Sequence, residues 1–529
     1  MLQLLVNWSL HNRVVVLVLA GLLLGTGLYA TRRARLDVFP EFAPPQVVIQ
    51  TEAPGLSPSE VEQLVTQPIE YAVNGIPRLD VLRSQSIQGL SVVTIIFQDG
   101  SDVYRTRQLV TERLGELAGQ LPPGVRSPRL EPLTSSTGRL LTVGFRADVS
   151  KETKSTPMQL RDVAQWSIRP RLLAVRGVAQ VTLFGGEVRQ FQVQIDPAAL
   201  AAHGLTFAEV LDATRQASGI RGAGFLENDR QRLTLRVEGQ VRTPAELGRT
   251  VVTTTAGTPI FLQDVARVVE GAEPKFGDAA IDGEAGVAVI VYKQFDADTM
   301  DVTRRVEEEL ARLEPSLNAQ GIRYDRARFR QATFIEHAVG NVTQSLLIGA
   351  ALVSVVLFVF LFDLRIAFIS LTAIPLSLLS AIVVLWACGI SLNTLTLGGL
   401  AIAVGEVVDD AIIDVENIHR RLRENALLVQ PRSAIAVVLS ASLEVRTAVV
   451  YATFIVVLVF VPVFFLSGLQ GRLFAPLGYA YVLAVLASLA TALTVTPALS
   501  LMLLANGRRE PAGDVPHQPA HAGWCGTSP

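Results

Sequence analysis

Lysine is scarce in this chain of 529 residues, occurring only at Lys151, Lys154, Lys275 and Lys293, so nearly every fixed positive charge is an arginine. Cysteine is limited to Cys388 and Cys525, too few and too far apart for a disulfide framework. Methionine occurs only at Met1, Met158, Met300 and Met502, and no histidine or cysteine cluster precedes the C-terminal tail, so no preformed thioether or imidazole site for a soft metal is visible. No GxxxxGK[ST] stretch exists and no lysine lies near a glycine-rich turn, which removes nucleotide hydrolysis as an energy source. HExxH is also missing. The net charge of −2 argues against a nucleic-acid partner. No cofactor is expected.

What the chain does have is apolar residues, 50% of the total, gathered into long runs. Val14 to Ala30 follows Arg13 and is just long enough to cross a bilayer. Its charge-then-apolar order also fits a cleaved signal peptide, but Gly21, Gly25 and Gly27 favour a packed, retained helix. From Thr31 to about Gln331 the composition is mixed and rich in Gly and Pro, as expected of a large domain outside the membrane. Runs at Val339–Phe362, Ile366–Cys388, Thr447–Leu466 and Leu473–Leu504, with the acidic segment described next, bring the expectation to about six spans.

The stretch LAIAVGEVVDDAIIDVENIHRR, Leu400 to Arg421, reads as a membrane helix that nevertheless carries Glu406, Asp409, Asp410, Asp414 and Glu416. At about 100° per residue, Glu406, Asp410 and Asp414 follow one another on a single stripe with Asp409 beside them. Ala401, Ala403, Val404, Val408, Ala411 and Ile412 back that stripe. Asp409 and Asp410 lie about ten residues, or ~15 Å, before the basic cluster that marks the membrane surface. Near mid-bilayer each ionised carboxylate costs at least ~2.5–3.5 kcal/mol. No structural need explains that cost, so the reading is a path for protons or ions rather than a solvated amphipathic face. Crowded like charges in a low dielectric favour holding a proton on at least one carboxyl. Intramembrane aspartyl proteolysis would need acids on two facing helices, and Asp363, at a boundary, is a poor second partner. Gly398, Gly399 and Gly405 are expected to permit close sliding against a neighbour.

Short-loop arginines orient the chain. Arg420, Arg421, Arg423, Arg432 and Arg446 are assigned to the loop after the acidic helix, and Arg508 and Arg509 follow the last span. Both groups are expected in the cytoplasm, which puts both termini there and the large domain outside. Arg32, Arg33 and Arg35 break the rule, but long domains translocate regardless of charge.

The outer region contains a weak repeat. A helix at Ser59–Val73 leads to strands Val81–Ser86 and Leu90–Phe97; a helix at Pro157–Val175 leads to strands Gln180–Phe184 and Arg189–Ile195. Helices at Val103–Gln120 and Thr206–Ala217 complete two helix–strand–strand–helix copies, as in ferredoxin-like units. Between Gly222 and Glu284 the pattern changes to short strands and turns, a β-rich insertion, after which a strand, a helix and a strand resume from Val287 to Phe329. Glu52, Glu131, Asp264 and Glu273 read as ordinary surface acids. The final stretch, with His517, His521 and Cys525 at ligand-like spacing, reads as a disordered tail.

GEVVDDAIIDVENIHRRL resembles the fourth-helix motif of resistance–nodulation–division efflux pumps, and LDVFPEFAPPQVVIQTEAPGLSPSEVEQLVTQPIE, GIPRLDVLRSQSIQGLSVVTIIFQDGSDVY and GVAQVTLFGGEVRQFQVQIDP are similar to their heavy-metal branch. The resemblance runs from the N-terminus to about Leu504. It implies an α-helical membrane protein with a periplasmic α+β domain: a first helix (1–30), a first porter subdomain (31–139), a second porter subdomain (140–221 and 285–335) interrupted by a docking insertion (222–284), helices two to six (336–505) and a tail (506–529). It also implies a proton relay at Asp409 and Asp410, joined here by Glu406 and Asp414, in an inner-membrane exporter of metal cations working with a periplasmic adaptor and an outer-membrane channel. The aspartate pair itself is more usual in drug exporters of the family, so a multidrug or amphiphile exporter is the alternative within it. Members repeat the whole plan, and the second copy normally supplies a lysine that answers the aspartates. One copy is present here, so the expectation is a homotrimer, or a complex with a separate second half, or an inactive truncated half. A protein-translocation accessory of the related half-size type is the alternative from another class.

Overall fold

The computed structural model describes residues 2–505 apart from 118, 149–154, 218–221, 229–230, 237–239, 256, 276 and 362–363. His517, His521, Cys525, Arg508, Arg509 and Asp363 therefore lie outside the described residues. The chain forms two compact units, one of residues 1–137, 298–300 and 331–529, the other of residues 138–297 and 301–330.

In the first unit, strands β1 (Gln46–Glu52), β2 (Leu79–Ile87), β3 (Leu90–Phe97) and β4 (Arg129–Leu130) make an antiparallel sheet in the order β2-β3-β1-β4. Alternation along β3 buries Val93, Ile95 and Phe97 and turns Val92, Thr94 and Ile96 the other way, as the period-2 pattern requires. The buried face packs on Val61, Val65, Ile69 and Val73 of the helical stretch 58–73 and on Val110 and Leu114 of the helix Val103–Glu116.

The second unit holds β5 (Thr134–Ala147, which begins in the first unit), β6 (Val178–Gly185), β7 (Arg189–Ile195), β8 (Gly222–Asn228), β9 (Gln231–Arg236), β10 (Val251–Thr255), β11 (Thr258–Phe261), β12 (Ala266–Ala272), β13 (Ala280–Ile281), β14 (Glu284–Gln294) and β15 (Ile322–Arg330). Its main sheet runs β6-β14-β5-β15 with β13 on the edge of β14. That order repeats the first sheet strand for strand. The repeat extends to a defect: the helical stretches 58–73 and 157–173 each contain a π-turn, Glu62–Thr66 and Ala164–Ile168. In each, a proline, Pro68 or Pro170, follows directly in the next helical segment. Proline has no N–H to give to the preceding turn, and a widened turn accommodates the loss.

The pairing corrects one expectation. β6 and β7 do not form a hairpin; β6 pairs with β14, and β7 pairs with β12 in a separate sheet. Gly185 and Gly186, both at positive φ, turn the chain out of the main sheet between them. Gly185 must be glycine for a second reason, since a Cβ there would sit 2.6 Å from the Ala279 Cβ and 2.5 Å from the Gly286 carbonyl oxygen. The helix Phe207–Ala217 accordingly packs with the insertion core around Val210, Leu262 and Val265, not as the last helix of the repeat. That place belongs to Thr299–Ala319.

Long helices form the rest of the first unit: Arg13–Arg33, Gln331–Leu361, Leu364–Ala387, Thr394–Ala426 (the acidic helix), Ala434–Phe464 (the arginine helix) and Gly468–Leu503 (the last helix). Among the described residues, Arg13–Arg33, Leu364–Ala387, Ala434–Phe464 and Gly468–Leu503 are long and apolar enough to cross a membrane. An additional helix, Leu2–His11, precedes them and buries Val6 and Leu10 against Ile418, Val438, Leu489 and Leu501. The arginine helix starts at Ala434, well before the apolar run that opens at Thr447, so Arg446 lies inside a helix and not in the loop where its charge suggested. Ser433 caps that start, its hydroxyl accepting from the Ala436 N–H at 3.4 Å.

Close approach singles out one glycine in each group predicted to pack. A Cβ on Gly27 would sit 2.6 Å from the Leu379 Cβ, whereas Gly21 and Gly25 face open space. Gly399 lies against the Leu477 carbonyl and the Ala480 Cβ of the last helix, whereas Gly398 and Gly405 face open space. Gly399→Val is thus expected to cost about 1–3 kcal/mol through overpacking, read as faster thermal inactivation in detergent. Gly398→Ala and Gly405→Ala should match or exceed the parent, since alanine is the better helix former by roughly 1 kcal/mol.

Candidate functional site: a buried acid–arginine cluster in the membrane helices

The acidic helix spans 33 residues and begins on a buried cap. The Asn393 side chain accepts from the Leu395 and Thr396 N–H groups, both at 3.0 Å, and the Asn393 backbone N–H donates to the Thr396 hydroxyl at 2.7 Å. This reciprocal arrangement satisfies helix-end donors that would otherwise be stranded in an apolar setting. From there Gly399, Ala403, Val407, Ala411 and Val415 recur every four residues and are all buried. They are the face on which neighbouring helices pack.

Asp410 and Asp414 share that packed face, 9% and 3% exposed. Glu406 is half-buried and Asp409 is exposed. The expected single stripe is therefore divided. Val404, Val408 and Ile412, thought to back the acids, are only half-buried, and Ala401 is exposed. A hydropathy pattern places acids opposite apolar residues, but here small residues beside two of the acids are what the last helix packs on. The carboxyls of Asp410 and Asp414 go inside with them.

Arg446, 2% exposed, answers these acids from the arginine helix. Its guanidinium lies 2.5 Å from the Asp414 carboxylate and also donates to the Ala492 carbonyl of the last helix. It is close enough to Asp410 for its charge to act there, as are those of Glu406, Asp409 and Asp414. One oxygen of Asp410, one of Asp414 and the Nε of Arg446 are buried without a hydrogen-bond partner among the described residues. Such groups are costly in an apolar interior, and this cluster leaves three of them open. Tyr481, on the last helix and stacked on Phe460 at 4.3 Å, lies within reach of the charges of Glu406 and Asp410.

One turn further on, the cluster gives way to ordinary surface chemistry. The Asn417 amide donates to the Ala441 carbonyl at 2.8 Å, and Arg420 donates to the Asn417 side-chain oxygen at 2.8 Å. Arg421 grips Glu444 with two bonds, 3.0 and 2.5 Å, at an exposed position. Arg446 is the member of this cluster that the sequence reading places in a loop. Its signal was present in Ser433, a good helix cap, followed by an uninterrupted run without Gly or Pro through Arg446.

The acids read from the sequence as surface groups differ among themselves. Glu52 makes an exposed ion pair with Arg126 at 2.6 Å, and Asp264 accepts from the Phe261 N–H at 2.8 Å. Glu131 departs from the surface reading: burial raises its pKa, against the lowering effect of a bond from the Gln50 amide. Among the described residues no group of three His, Cys, Asp or Glu side chains is placed to hold a metal ion.

Comparison with known proteins gives this arrangement a context. The model of the AcrB/AcrD/AcrF family matches residues 5–520, beyond the point at Leu504 where the motifs end. HelA of Legionella pneumophila is 35% identical over 510 residues, covering 95% of this chain and 48% of that protein. The cobalt-zinc-cadmium resistance protein CzcA of Cupriavidus metallidurans is 33% identical, covering 94% of this chain and 47% of its own. A heavy metal efflux pump of known crystal structure superposes with a TM-score of 0.81 at 28% identity, over 95% of this chain and 49% of that one. The chain thus spans about half the length of the curated relatives it matches. By the extent of the family match and the fold that accompanies it, the chain belongs to the AcrB/AcrD/AcrF family, the resistance–nodulation–division transporters.

Proposed function

We propose that this chain is a subunit of a proton-driven exporter of heavy-metal cations in the bacterial inner membrane. The observation that carries the reading is the buried Asp410 carboxyl with an unpartnered oxygen, one turn from an equally buried Asp414–Arg446 pair. A proton taken up or released by this carboxyl changes the charge balance around Arg446. Asp409 and Glu406 extend the relay toward the exposed side of the helix, where a second copy of the chain or a separately encoded second half covers Asp409. Relatives named for cobalt-zinc-cadmium resistance and for cation efflux support the cargo class.

In this reading six helices cross the membrane, the four apolar ones together with Gln331–Leu361 and the acidic helix, and both termini are cytoplasmic. The two matching sheets are ferredoxin-like porter subdomains of the periplasm, 31–139 for the first. The pairing of β7 with β12 supports starting the docking insertion near residue 189 instead of 222. Adaptor and outer-membrane channel are the partners, and the assembly is a homotrimer or a complex with the second half.

The test is export from proteoliposomes of this chain, alone and mixed with a candidate second half, using divalent metal ions and a cationic dye. Metal export that stops when the proton gradient is collapsed is the expected result. Dye export without metal export would reassign the cargo, and export indifferent to the gradient would reject the relay.

A further inference from the structure

The last helix begins at Gly468, and residues 465–467 alone separate it from the arginine helix. Both helices are long and apolar enough to cross a membrane, so the turn between them lies at a membrane surface. The turn and the residues that follow it are themselves apolar: Phe465 is 83% exposed and Leu469 56%. Beside them, within the first unit, a cavity of about 670 Å³ is lined by Phe42, Pro44 and Leu469 together with Asp80, Asp99 and Arg472.

The charged lining is held in place. Arg472, on the last helix, pairs with Asp99 and donates to the Phe42 carbonyl at 3.2 Å. Arg78 grips the turn after β3, donating to the Asp99 carbonyl at 2.7 Å and to the Gly100 carbonyl at 3.3 Å. Arg78 has a φ of 63°, a left-handed conformation uncommon for any residue with a side chain. Asp80 stands at a bulge, the extra residue of β2 where its register on β3 shifts between Leu79 and Val81. Bulges re-aim side chains, and Asp80 lies on the cavity wall. Its carboxylate makes no hydrogen bond or ion pair among the described residues, whereas that of Asp99 is answered by Arg472.

We propose that this cavity holds the head of a bilayer phospholipid carrying a primary ammonium, a phosphatidylethanolamine, as a resident lipid and not as cargo. Asp80 takes the ammonium, Arg472 faces the phosphate, and the chains run over Leu469 and Phe465. Asp80, Asp99 and Arg472 leave one negative charge in excess, so an anionic head without an ammonium is disfavoured. A choline head brings a cation with no N–H to give to Asp80. Exposed ion pairs are too weak to hold a small solute from solution. A lipid arrives already concentrated in the bilayer and adds apolar contact at Leu469. The place of the turn at a bilayer rests on reading its two helices as membrane spans; the lining rests on the contacts above.

Native mass spectrometry of the full chain, released from detergent and titrated with dioleoyl phosphatidylethanolamine, phosphatidylcholine or phosphatidylglycerol, reads the site without requiring export. Phosphatidylethanolamine should bind ahead of the other two. Asp80→Asn should weaken it roughly 5-fold and leave phosphatidylglycerol unchanged, and Asp80→Lys should reverse the order of those two lipids. Asp80 is exposed, so both variants should fold, checked by thermal inactivation equal to the parent. Phosphatidylethanolamine binding that neither variant alters would overturn the site. Choline lipid bound as tightly as ethanolamine lipid would overturn the assignment of the head. Glycerophosphoethanolamine, the same head without chains, should not compete; competition would make the ligand a soluble ammonium compound and overturn the lipid. A parent chain recovered outside the membrane fraction would remove the membrane reading of the two helices, and the lipid site with it.

Discussion

Arg446→Gln should abolish export and shorten the survival of the protein in detergent on heating. Arg446 and Asp414 are both nearly inaccessible and 2.5 Å apart, so removing the guanidinium leaves a carboxylate buried without its cation. Breaking a buried pair from one side typically costs about 3–5 kcal/mol, a large fraction of what holds a domain together. The Ala492 carbonyl loses its donor in the same step. The double change Arg446→Gln with Asp414→Asn leaves two neutral amides, and it should restore most of the thermal resistance without restoring export. That combination separates stability from transport: recovery of both would mean that the pair only holds helices together. Unchanged inactivation kinetics in Arg446→Gln would mean that the pair is exposed to water, against the burial observed.

Asp410→Asn has the second large expected effect, export at background with undiminished protein in the membrane. One oxygen of Asp410 has no partner in its buried position, so replacing the acid by an amide removes a charge the fold does not need. Stability should hold or rise by about 1 kcal/mol, seen as slower thermal inactivation, while metal flux in proteoliposomes disappears. Asp409→Asn should also lose export, yet leave inactivation unchanged, because Asp409 is exposed. Retained export in both variants would sink the relay assignment. A destabilised Asp410→Asn would instead show that its carboxylate is paired in the working assembly.

These effects divide along a line that the sequence could not draw. Glu406, Asp410 and Asp414 at i, i+4 and i+8 are legible as one stripe, because helical periodicity is local. Which carboxyls are buried depends on the face of Gly399 and Ala403 meeting the last helix, some eighty residues away in sequence. The α+β repeat behaved similarly. The first sheet was readable because the adjacent strands β2 and β3 are joined by a two-residue turn, Gln88-Gly89, and pair with each other. The second was misread because β6 and β7 look like the same hairpin, while the true partner, β14, arrives about a hundred residues later.

The sequence by itself determined the apolar runs, the acids placed among them, the first α+β copy and the family motifs, since each depends on spacing within a few turns of chain. Only the tertiary structure decided that Asp410 and Asp414 are inside and Asp409 outside, that Arg446 is their counter-ion instead of a loop charge, and that Asp80 and Arg472 line one cavity. The physical reason is the same in all three. Burial and ion pairing are set by which helices pack together, and no local pattern encodes the identity of a partner far along the chain.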